Sequence, residues 1–165
     1  NRLIMVVRFD DISDESKLWI YQSNRPFKDE LINSLEKKIS QFLSSWTSHG
    51  SELNSAFTIK YNLFLFIALD ENNSNATGCS IDKLMSFIKM LEKEYGLRLL
   101  DRLDISYRKG NDIIIDRLDD FKMKVLTKEV NENTIVFNNL IKFKKDMIQN
   151  WELCAKDSWH QQLFK

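Results

Sequence analysis

The run Leu63-Phe-Leu-Phe-Ile-Ala-Leu69 constrains this chain more than any other feature. It is apolar throughout, so neither side of an extended segment is left for water, and it reads as a strand covered on both faces. It is far shorter than the roughly 20 residues that cross a bilayer, and no other apolar run is longer, so no membrane span is expected.

Its neighbours follow from the flanking patterns. Lys17-Leu-Trp-Ile-Tyr-Gln22 is rich in aromatic and β-branched residues and reads as a strand. Pro26 ends it by pushing the preceding residue out of the helical region. From about Lys28, the residues Leu31, Leu35, Ile39, Phe42 and Trp46 recur at helical spacing, widened by Ile32 and Leu43. Asp29 and Glu30 suit the first turn of that helix, and Gly50 with its polar neighbours closes it. Phe57, Ile59 and Tyr61 alternate with Thr58 and Lys60, as in a half-buried strand.

After the apolar run comes a polar loop, Asp70 to Thr77, and then a second helix. Ile81, Leu84, Met85, Ile88, Leu91 and Tyr95 share one face of it, and Gly96 is its stop. Ile105–Tyr107 and Ile113–Ile115 flank Lys109-Gly110-Asn111 as a hairpin. Leu118, Phe121 and Val125 suggest a short third helix, and Ile135–Phe137 is a short apolar run. Leu140, Lys144, Met147 and Trp151 fall on one side of a fourth helix, and the aromatic tail to Phe164 is expected to pack down. This order resembles a split β-α-β-β-α-β arrangement with an added strand and C-terminal helices. The expectation is an α+β fold: a mostly antiparallel sheet of about five strands with two long helices on one face.

A chain of 165 residues with only four Gly and one Pro has no flexible linker, and residues 1–165 read as a single domain. Lys plus Arg match Asp plus Glu at 24 each. That balance argues against nucleic acid, whose binders carry a basic stripe. The densest basic run, Lys142 to Lys145, reads as a solvated helix face. The start, NRLIMVVRF, is too short in its apolar centre for a secretory signal, so if the chain is complete there it stays in the cytoplasm. Cys79 and Cys154 are too few for a disulfide framework and are expected to be reduced. The glycosylation patterns at Asn72 and Asn75 matter only in a secreted protein.

Thr77-Gly78-Cys79-Ser80, at the start of the second helix, is the stretch that looks most like a site. Backbone N–H groups left over at a helix start can hold an anion, Gly78 permits close approach, and a thiol there has a lowered pKa. The plain alternative is that Thr77 or Ser80 caps the helix and Cys79 is a small buried residue. A thiol enzyme needs a base, and His49 and His160 are the two histidines that could supply one. Asp157 and Ser158 beside His160 suggest a serine triad, against the blander reading that the Trp159-His160 pair tucks the tail down. Arg25 or Arg102 could face an anion held at the Gly78 turn, against the reading of ordinary surface arginines.

No Cys or His pair has zinc spacing, Asp10-Asp11 and Asp119-Asp120 read as surface or helix-start carboxylates, and the Asp70–Asn75 loop lacks calcium spacing. No metal and no cofactor is expected. Neither a phosphate loop nor a Gly-x-Gly-x-x-Gly pattern occurs, so a P-loop ATPase is not supported.

Five stretches are distinctive in combination: Leu18-Trp-Ile-Tyr-Gln-Ser-Asn-Arg25, Trp46-Thr-Ser-His-Gly50, Ala76-Thr-Gly-Cys-Ser-Ile-Asp82, Thr134-Ile-Val-Phe-Asn-Asn-Leu140 and Ser158-Trp-His160. With them the chain resembles, over nearly its whole length, a family of small uncharacterised Bacteroidetes proteins often labelled "ABC transporter ATPase". This sequence contradicts that label, having neither the phosphate loop nor the Leu-Ser-Gly-Gly-Gln signature. The resemblance implies a small cytosolic bacterial protein. It makes the Cys79 turn, His49, Arg25 and the Trp159-His160 tail candidate positions, with no roles carried over.

The leading expectation is a non-enzymatic module binding a small anionic ligand or a protein partner. The rival is a thiol-dependent acyl transferase or hydrolase with Cys79 as nucleophile and His160 or His49 as base. A third reading is a structural partner within a larger complex.

Overall fold

The computed structural model describes residues 7–165; residues 1–6, most of the NRLIMVVRF stretch read as too short in its apolar centre for a secretory signal, lie outside them. The chain falls into two compact units: one runs to Leu100 and includes Lys142–Lys145, the other comprises Asp101–Ile141 and Asp146–Lys165.

In the first unit the elements are β1 (Lys17–Gln22), α1 (Asp29–Ser45), β2 (Thr47–Ser48), β3 (Ser51–Glu52), β4 (Asn54–Lys60), β5 (Phe64–Asp70) and α2 (Gly78–Tyr95). The apolar run becomes the central strand: the sheet order is β1-β5-β4, with β5 antiparallel to both neighbours. Every residue from Leu63 to Leu69 is buried. Because successive side chains point to opposite faces, Leu65, Ile67 and Leu69 enter one core. There they join Leu35, Ile39 and Leu43 of α1 and Leu84, Ile88 and Leu91 of α2. On the opposite face, Phe66 meets the ring of Phe9 edge-on at 6.3 Å.

Since β1 and β4 both oppose β5, they run parallel to each other and α1 joins them, which is the split β-α-β unit read from the sequence. The single sheet of about five strands is corrected. The described residues form three antiparallel sheets, of three, two and four strands. Ile105–Tyr107 does not return to β1. The free edge of β1 instead takes Lys142–Lys145: the Leu18 N–H donates to the Lys142 carbonyl at 2.8 Å, and the Lys144 N–H donates to that of Ser16 at 3.0 Å.

The second unit contains β6 (Asp104–Lys109), β7 (Asp112–Arg117), α3 (Leu118–Leu126), β8 (Ile135–Phe137), α4 (Met147–Asn150) and β9 (Glu152–Cys154), with strand order β7-β6-β8-β9. Gly110, at φ 62°, sits in the hairpin turn where glycine avoids the left-handed penalty. Ile105, Tyr107, Phe121, Val130, Val136 and Ala155 form the core of this unit.

The fourth helix expected from Leu140 to Trp151 is also corrected. Only a 3₁₀ turn, Lys144–Asp146, and the four-residue α4 form there. Trp151 turns onto Phe137 at 5.1 Å, and its Nε1–H donates to Asn139 Oδ1 at 3.0 Å. The Asn138 N–H donates to the Trp151 carbonyl at 2.6 Å, leading into the β8–β9 ladder. Lys144, read as a helix-face residue, sends its ammonium inward to the carbonyl of Ile12 at 2.7 Å. Strand pairing and these contacts override the helical spacing. The aromatic tail packs down as expected, as a 3₁₀ segment over Trp159–Phe164 with His160 buried.

Candidate functional site

The first turn of α2 is built by Thr77 and Ser80. Thr77 is the N-cap: its hydroxyl accepts from the Ser80 N–H at 3.3 Å, and Ser80 Oγ accepts from the Thr77 N–H at 2.6 Å. This reciprocal box satisfies two of the N–H groups that a helix start leaves over. Both hydroxyls named as candidate caps are used, and Ser80 is buried. The Gly78 and Cys79 N–H groups are left at an exposed rim. A Cβ placed on Gly78 would meet nothing within 4 Å, so side-chain crowding does not require glycine there.

Cys79 is exposed, which corrects the reading of it as a small buried packing residue. It lies three, four and seven residues before Asp82, Lys83 and Ser86, on the same side of α2. Those three residues, with Phe42, Ser45, Trp46 and Phe87, line a shallow groove of about 480 Å³ between the end of α1 and the start of α2. Its aromatic part is ordered by packing. Phe42 stacks on Phe87 with centroids 4.3 Å apart and planes within 6°, and Trp46 lies 5.7 Å from Phe42. Trp46 Nε1–H donates to the Ser80 carbonyl at 2.9 Å, tying α1 to the first turn of α2. Sequence reading placed Phe42 and Trp46 on the helical stripe but did not find the groove. Phe87 and Lys83 belong to no motif, and only the pairing of two helices brings them together.

The remaining candidates lie elsewhere. His49 is exposed at the β2–β3 turn with φ 50°, followed by Gly50 at φ 79°. The preceding residue, Ser48, reaches Thr77 Oγ1 with its hydroxyl at 3.4 Å. Among the described residues, no imidazole is hydrogen-bonded to Cys79. Arg25 donates from Nη2 to the Tyr95 carbonyl at 3.4 Å, at the C-terminal end of α2. An 18-residue helix rises about 1.5 Å per residue, so Arg25 serves the end of α2 remote from Gly78. Arg102 is an exposed residue of the second unit, preceding β6.

His160 belongs to the second unit and is buried, stacked on Trp159 at 3.9 Å, with its Nδ1 2.7 Å from Ser158 Oγ. Burial lowers its pKa from the usual 6.5 to about 4. Asp157 is exposed and Ser158 is buried, so the stretch is a tucked-down tail rather than an accessible triad.

The second unit also holds a polar cluster that no motif announces. The Tyr107 hydroxyl donates to Asp116 Oδ2 at 2.7 Å, while the Lys124 ammonium donates to Tyr107 Oη at 2.9 Å and pairs with Asp116 at 2.9 Å. Burial raises the Tyr107 pKa, and the bonds from Asp116 and then Tyr107 raise that of Lys124. These groups satisfy one another and brace β6, β7 and α3.

Among the described residues, no group of three or more His, Cys, Asp or Glu is gathered to hold a metal ion, and no helix is long and apolar enough to cross a membrane. Comparison of the chain with protein-family models, with curated proteins and with solved structures gave no match in any of the three.

Proposed function

We propose that the first unit is a non-catalytic binding module, and that its site is the groove between the end of α1 and the start of α2. Its ligand is a small anion with a flat apolar body. The observation that carries this reading is the Phe42–Phe87 stack with Lys83 at its rim. The stacked rings offer fixed apolar area to a ligand, and little ordering entropy is spent on them at binding. The negative end of the ligand is drawn to the Lys83 ammonium and to the N-terminal end of α2, where the helix dipole favours negative charge. Asp82 on the same rim repels further negative charge, which favours a monoanion over a polyphosphate.

The test is a titration of the whole chain with the anionic aromatic probe anilinonaphthalene sulfonate. Saturable binding to the folded protein is expected, weakened about tenfold in Lys83→Glu and weakened further by salt. Equal binding by the wild type and Lys83→Glu, or no binding by either, overturns the reading.

A second reading, a thiol-dependent acyl transferase or hydrolase, is favoured by one observation: Cys79 is exposed on the groove side of α2. It requires His49 or His160 to reach the sulfur. Alkylation of Cys79 measured against pH, with Cys154 as the internal comparison, tests it. A thiolate titrating well below about 8.5 supports it, and a rate that follows an ordinary thiol removes it.

A further inference from the structure

We draw no further inference here: the strongest candidate, the exposed apolar pair Ile81 and Met85 along one flank of α2, carries nothing because nothing in the structure shows what covers it.

Discussion

The indole N–H of Trp46 donates to the main-chain carbonyl of Ser80 at 2.9 Å, inside the core. One bond thus fixes the residue that ends α1 against the first turn of α2, and with it the groove that both helices line. Trp46→Phe keeps an aromatic ring but removes the indole donor, leaving the Ser80 carbonyl with the N–H that α2 itself supplies one turn on. The lost hydrogen bond is expected to cost about 0.5–1.5 kcal/mol, the net worth of one buried bond whose acceptor stays satisfied. Urea denaturation measures it, and Cys79, one residue from the freed turn, is expected to alkylate faster than in the wild type.

Thr77→Ala removes the N-cap while leaving the Ser80 hydroxyl in place. Loss of such a cap costs about 0.5–2 kcal/mol. Hydrogen exchange is expected to rise over Gly78–Ile81 more than over the end of α2. Thr77→Ser keeps the oxygen and is expected to restore both stability and protection.

Burial holds the His160 pKa at about 4, below its unfolded value of 6.5. Between those values the unfolded chain binds the proton and the folded one does not. Stability is therefore lost as pH falls from about 6.5 towards 4, changes no further below that, and is independent of this group above 6.5. The full effect is on the order of 3 kcal/mol. His160→Asn removes the titration, so the difference in stability between the two proteins is expected to slope with pH inside that window and to be flat above it. Chemical denaturation at several pH values reads it directly.

Tyr61 and Asn62 turn the β4–β5 hairpin with φ of 55° and 52°. A left-handed conformation costs a non-glycine residue about 1–2 kcal/mol. Tyr61 is half exposed and its ring meets Phe64 edge-on at 6.5 Å, so loss of that contact offsets part of the relief. Tyr61→Gly is expected to leave stability unchanged or raise it by up to about 1 kcal/mol, whereas Tyr61→Val, β-branched, lowers it. Thermal unfolding of the two variants distinguishes these signs.

The parts legible in the sequence were those where one local pattern settles the outcome. Leu63–Leu69 could hardly be anything but a central strand, and Gly96 marks the end of α2, where it takes φ 61°. The capping hydroxyls of Thr77 and Ser80 could also be read locally, because an N-cap bonds within its own turn. What failed depended on distant partners. Helical spacing from Leu140 to Trp151 lost to the pairing of β8 with β9 and to the docking of Lys142–Lys145 beside β1. The single sheet failed for a related reason, since β6 pairs with β7 and β8 rather than returning to β1.

The candidate site divided in the same way. Cys79 and its turn were found because they adjoin a helix start, but the exposure of Cys79 depends on how α2 lies against its neighbours. Arg25 could face either the Gly78 turn or open surface on the sequence alone, and it reaches the Tyr95 carbonyl at the other end of α2, since spacing along β1 does not show which helix terminus is near. Phe42 lies some 40 positions from Lys83 and Phe87 and meets them only after α1 and α2 pack.

The most direct test of the groove is a backbone and indole amide NMR titration of the whole chain with anilinonaphthalene sulfonate. The account predicts saturating shifts concentrated on Phe42, Ser45, Lys83, Ser86 and the Trp46 indole N–H, and their loss in Lys83→Glu. Shifts centred in Asp101–Ile141 or Asp146–Lys165, or no saturable shifts, would contradict it.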